Sequence, residues 1–164
     1  MVKYRGFTYI TVVFMVFILT LSLAVAIPVW QTVLKRNLEK EAIFRGTRIA
    51  KGIQLYMMKH PGALPKNLDV LVKEKFIRRH WKDPLSKDGN WYLIMLPPGA
   101  RPNYVILVKE QDLPKYKNPR IIGVAPQAEG ESILSYNGKT NYKKWLFMLS
   151  VVKGKNVKVV YWKG

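Results

Sequence analysis

The first long apolar stretch of this chain has no polar face. Residues 7–30 (FTYITVVFMVFILTLSLAVAIPVW) are almost wholly apolar, and residues 6–34 contain no charged side chain. At a rise of about 1.5 Å per residue this run reaches roughly 36 Å as a helix, enough for a hydrocarbon core of about 30 Å. After Trp30 the pattern becomes periodic. Leu34, Leu38, Ala42, Gly46, Ile49, Ile53 and Met57 recur at spacings of three and four and form one stripe. Lys35, Arg36, Lys40, Arg48, Lys51 and Lys59 lie mostly off it. His60-Pro61-Gly62 then ends the helix, because Pro removes a donor and Gly frees the backbone. The spacing predicts one helix over 7–59, about 80 Å long. Residues 7–30 are its membrane-spanning half and 31–60 carry its amphipathic half. Pro28 falls inside it and removes one backbone hydrogen bond. Gly46 on the stripe costs about 1 kcal/mol relative to Ala, so a close backbone contact is expected there.

Residues 61–164 read as a small globular part. Asn67 is placed to cap a short helix in LDVLVKEKFI. Asp83-Pro84 and Asp88-Gly89-Asn90 are turn signals. WYLIML (91–96) and YVILV (104–108) predict a strand pair, followed by RIIGVA (120–125) and SILSY (132–136). WLFMLSVV (145–152) and VKVVYW (157–162), joined by Lys153-Gly154-Lys155-Asn156, predict a terminal hairpin. The expected fold class is α+β, with the long N-terminal helix packed on a small antiparallel sheet.

A secretory signal peptide is the competing reading of residues 7–30. Its apolar core is typically about 7–15 residues and ends at small side chains. This run is longer, and Ile27 and Pro28 stand where small residues would be needed.

Charge changes the picture in the second part. The chain has 28 Lys+Arg against 10 Asp+Glu, a net charge of +18. Residues 61–164 hold 19 basic and eight acidic side chains, and from Ser132 onward there are seven lysines and no acid. Arg78, Arg79 and Lys82, with Lys153, Lys155 and Lys158, are candidates for binding DNA or another polyanion, and Trp145, Tyr161 and Trp162 lie among the C-terminal lysines. The opposing reading makes the tryptophans core and the lysines a solvated face. Flanking charge leaves orientation open, since Lys3 and Arg5 face Lys35 and Arg36 across the apolar span. With no cysteine, disulfides and thiolate metal sites are excluded. Only His60 and His80 are present, and no nucleophile elbow, Ser/His/Asp pattern or phosphate-binding glycine loop is legible. No enzymatic activity, metal or cofactor is expected.

The N-terminus reads MVKYRGFT, then the apolar run, with Pro28 twenty-one residues after Phe7. This resembles the cleavage and methylation signals of type IV pilins and type II secretion pseudopilins. The segment 56–94 (YMMKHPGALPKNLDVLVKEKFIRRHWKDPLSKDGNWYLI) is similar to the region after the long helix in the G-type pseudopilin group. IIGVAP (121–126), YNG (136–138) and YKKWLF (142–147) resemble that group's later strands. The resemblance implies a leader of residues 1–6 and cleavage between Gly6 and Phe7 by a prepilin peptidase. It also implies N-methylation of Phe7 and a helix-bending role for Pro28. The expected partners are other pilin or pseudopilin subunits and the inner-membrane assembly platform. The expected location is the bacterial inner membrane, single-pass, with residues 31–164 periplasmic. Cleavage would leave 26 basic and 10 acidic side chains, or +16.

Two departures matter. The family's glutamate at the fifth mature position, thought to neutralise a neighbour's terminal amine, is Thr11 here. An unpaired charge in hydrocarbon costs several kcal/mol. Two explanations stand: a minor or tip-located subunit, or a filament that tolerates threonine. The group's calcium loop is not carried over either, because no Asp or Glu follows Glu131. Asp83 and Asp88, or Glu129 and Glu131, read as turn or surface residues rather than chelators. A third class, an anchored protein that never assembles, would keep residues 1–6.

Overall fold

The computed structural model describes residues 5–97, 99, 104–148 and 157–162. It is α+β, and its elements divide between two compact units, residues 1–37 and 38–164. One helix, α1, runs from Arg5 to Lys59 and passes Pro28 without interruption. It begins two residues before the expected start. In the first unit its described large apolar side chains, from Phe7 to Leu23 and from Ile27 to Leu34, are exposed, and it is the one described helix long and apolar enough to cross a membrane.

In the second unit the remaining turns of α1 bury Ala42, Gly46, Ile49 and Ile53, four members of the predicted stripe. Leu38 is not buried; the neighbouring Glu39 is, for a reason given below. A second helix, α2 (Leu68–Lys73), starts as expected, with Asn67 Oδ1 accepting from the Val70 N–H at 2.9 Å. It ends earlier than LDVLVKEKFI suggested. Lys75 takes φ +61°, its N–H donates to Val72 O, and the Phe76 N–H donates to Leu71 O. That pair of bonds is the Schellman closure, which stops a helix by turning one residue left-handed.

Five strands form the main sheet: β1 (Tyr92–Met95), β2 (Tyr104–Lys109), β3 (Ile121–Ala125), β6 (Phe147–Met148) and β7 (Lys158–Tyr161). Their order is β6-β3-β1-β2-β7. The predicted β1–β2 pair forms, antiparallel, with Leu93 opposite Val108. The terminal hairpin does not. β6 pairs with β3 at one edge, while β7 runs parallel to β2 at the other. The sheet is therefore antiparallel except for that one pair. Turn residues license only local pairing, whereas strands 147–148 and 158–161 each satisfy a different open edge of β-rich backbone. β4 (Glu131–Tyr136) and β5 (Lys139–Asn141) form a separate hairpin. Its turn is Asn137-Gly138, with φ of +49° and +73°, both left-handed as a two-residue type I′ connection requires.

Both faces of the main sheet are covered, so β3 is buried at every position and does not alternate. Leu93, Met95, Ile121 and Val124 share one core with Ile49 and Ile53 of α1, and with Trp91, Trp145 and Phe147. Ile94, Val105, Leu107, Ile122 and Ala125 make a second cluster. The expected close contact at Gly46 is real: a Cβ there would run into the Phe147 ring. This α+β arrangement is compatible with a pilin-like fold.

Candidate functional site

In the first unit, Gly6 and Phe7 lie within the first turns of α1, and the Phe7 side chain is exposed. The Thr11 hydroxyl donates to the Phe7 carbonyl at 2.9 Å. Thr20 and Ser22 likewise donate to Phe17 and Ile18, and Thr32 to Pro28. Each hydroxyl is thus satisfied inside the helix and needs no outside partner in an apolar setting. Phe7 and Thr11 are brought together by that bond; Pro28 lies about 25 Å further along the axis.

In the second unit, the clustered basic residues divide among different tasks. Arg78, Arg79 and Lys82 follow α2 and are all exposed. Arg79 lays its guanidinium 4.3 Å from the centre of the Trp81 ring, and Arg45 stands 5.8 Å from the same ring. The Lys82 stem lies against the Gly89 turn, and its carbonyl accepts from Arg45 Nη1 at 2.8 Å. Arg78 alone of the three faces a groove of about 440 Å³, which Arg48, Lys51 and Lys75 also line. Lys158 is exposed on the edge strand β7 and does not line it; Lys153 and Lys155 lie outside the described residues. Sequence reasoning missed Arg48, Lys51 and Lys75. The signal was available only in part, since Arg48 and Lys51 share one helix face while Lys75 and Arg78 are brought to it by the end of α2.

The groove has a structural cause. A Cβ on Gly52 would stand 2.5 Å from Ile77 Cγ2 and 3.6 Å from Phe76 O, so glycine lets segment 76–77 lie close on α1. Phe44, Phe76 and Trp81 complete the walls, Phe44 meeting Trp81 edge-on at 6.0 Å. Trp145, one of the residues expected near nucleic acid, is fully buried and its Nε1 donates to Lys139 O. Trp162 packs edge-on against Tyr116.

Two acids of this unit, Glu39 and Asp83, are buried fixtures, and most of the others pair nearer the surface. Glu39, fully buried, accepts from the N–H groups of Ile133 (2.9 Å) and Leu134 (2.7 Å) and from the Tyr142 hydroxyl. Burial, and then the bond to Glu39, push the Tyr142 hydroxyl's pKa up. Asp83 accepts from Leu85 N and Gln127 N, and burial raises its pKa against those bonds. It is a loop tie, as its turn position suggested. His80 bridges Glu110 (2.8 Å) and Asp69 (3.2 Å); the Glu110 hydrogen bond, outweighing burial, lifts its pKa to about 9. Among the described residues no three His, Asp or Glu side chains gather as a metal site, and no buried side-chain polar atom lacks a partner.

The fold and surface define an α+β chain with, among the described residues, one helix long and apolar enough to cross a membrane, and a basic globular unit. Comparison with family models, curated proteins and solved structures finds no match to the chain.

Proposed function

We propose that this chain is a pilin-like subunit, processed by a prepilin peptidase and assembled into a filament of the type II secretion or type IV pilus kind. The observation that carries the reading is α1: one uninterrupted helix, Arg5–Lys59, bare and charge-free where a filament core would bury it, and amphipathic where a globular unit covers it. A helix without charge can pack against lipid or against sister helices without unpaired polar groups, and the internal hydroxyl bonds of Thr11, Thr20, Ser22 and Thr32 keep it so. Thr11, which offers no carboxylate to a neighbouring amine, fits a minor or tip subunit.

Intact-mass and N-terminal analysis of the membrane-extracted protein tests the reading. The mature chain is expected to begin at a methylated Phe7, and Gly6→Leu is expected to accumulate the uncleaved form. A wild-type chain that keeps residues 1–6 would identify an anchored protein that never assembles.

The second reading, a DNA or polyanion binder, draws support from the four-cation groove. Its stacking component has less: Trp145 is in the core, and Trp81 already carries two guanidinium groups of its own chain.

A further inference from the structure

Arg48, Lys51, Lys75 and Arg78 meet around one groove, and none of them has an ion-pair partner among the described residues. The acids are in the opposite condition. Of ten, nine already hold a partner within the chain, and Asp88 is the one without a partner among the described residues. A second copy of this chain could offer such carboxylates only by giving up its own pairs, and copies at +18 repel one another. The occupant has to bring negative charge of its own.

We propose that this groove docks an acidic segment of a different protein, with carboxylates against the four cations and an apolar side chain against Leu55 and the part of Phe44 that Arg48 leaves open. The inference does not depend on the filament reading. Phe44 and Leu55 line the groove and remain 45% and 41% exposed, an apolar strip beside the cations. The volume, about 440 Å³, suits a few side chains rather than a whole domain. Lys75 adds a second sign of purpose. It occupies the left-handed closing position of α2, where glycine is the unstrained choice, and its side chain faces the groove. A nucleic acid is the poorer match. The three aromatic rings of the walls already carry cations: Arg48 on Phe44, Lys59 on Phe76, Arg45 and Arg79 on Trp81. Bases would have to displace those cations in order to stack, whereas carboxylates would bridge them.

The test uses the full chain in a neutral maltoside detergent and a fluorescein-labelled peptide, Glu-Asp-Phe-Glu-Leu-Glu, followed by anisotropy. Saturable binding is expected, weakened roughly tenfold or more by the peptide with amides in place of its acids. Arg48→Gln with Arg78→Gln should weaken it about as much, while Lys139→Gln with Lys144→Gln, exposed lysines outside the groove, should leave it unchanged. Lys75→Gly separates binding from folding: affinity should fall about threefold or more while the thermal midpoint holds or rises. No saturable binding, or equal losses in the Lys139/Lys144 control, overturns the proposal. So does tighter binding of a short DNA duplex, or of micelles doped with phosphatidylglycerol, that is lost with Arg48→Gln and Arg78→Gln; that result assigns the groove to phosphate.

Discussion

Glu39 sits one position beyond Leu38, the residue its helix stripe was expected to bury, and takes the inward place instead. On a helix face with Lys35, Arg36, Glu41 and Arg45 nearby, a lone acid reads as solvated. What draws it in is a set of three donors more than ninety residues away, at Ile133, Leu134 and Tyr142. Two carboxylate oxygens serve all three donors, and a glutamine offers only one acceptor. Glu39→Gln is therefore expected to cost about 2–4 kcal/mol in denaturant unfolding, because at least one buried N–H is left without an acceptor. Faster amide exchange at Ile133 and Leu134 would locate the loss. His80 makes a pH prediction. Its pKa rises from 6.5 to about 9 on folding, so its contribution is complete below about pH 6.5 and is lost as pH climbs through 9. The ring is more than a third exposed, so solvent screening leaves about 1 kcal/mol. Melting midpoints measured between pH 6 and 10 should decline for the wild type and stay flatter for His80→Gln.

Among the elements, what the sequence disclosed was local. Asn67 caps α2 because a side-chain acceptor three residues before an N–H is a matter of spacing, and the β1–β2 pair follows from two short apolar runs across a turn. Gly46 was legible for a similar reason: a glycine on a buried stripe needs a neighbour, though nothing nearby named Phe147. That contact is testable. Gly46→Ala gains about 1 kcal/mol of helix propensity, but its methyl collides with the Phe147 ring, and overpacking typically costs about 1–3 kcal/mol. A net loss of about 1 kcal/mol in urea unfolding is expected, partly recovered in combination with Phe147→Leu. The parallel β7 edge was illegible, because Lys153-Gly154-Lys155-Asn156 advertises a hairpin while the choice between sheet edges is made by β2 and β3. Asn137-Gly138 carried a genuine hairpin signal, for a pair outside the main sheet. The groove was half visible. Arg78 stood out in a basic run, but Lys75 reaches it only through the left-handed turn that closes α2.

At the scale of the whole molecule, positive charge lies outside the apolar span, and the acids are nearly all committed to internal bonds. On the proposed filament reading, Thr11→Glu asks what that absence of charge means for assembly. A tip or minor subunit given the missing carboxylate should then be found along the filament by labelling, in place of a few sites per filament. Unchanged assembly and secretion, with the wild type already distributed along the filament, would remove the proposed tip position. The Glu39 clamp has a further consequence in time. Its partner Tyr142 lies 103 residues downstream. At about 5–20 residues per second, a ribosome delivers it roughly 5–20 s after Glu39 has been made. For the first part of that interval, until residues 92–125 are made, Ala42, Ile49 and Ile53 have no strands to cover them, and the carboxylate beside them has no donor until Ile133 is made. The chain's most vulnerable moment is the middle of its own synthesis, when a nascent helix waits for its sheet.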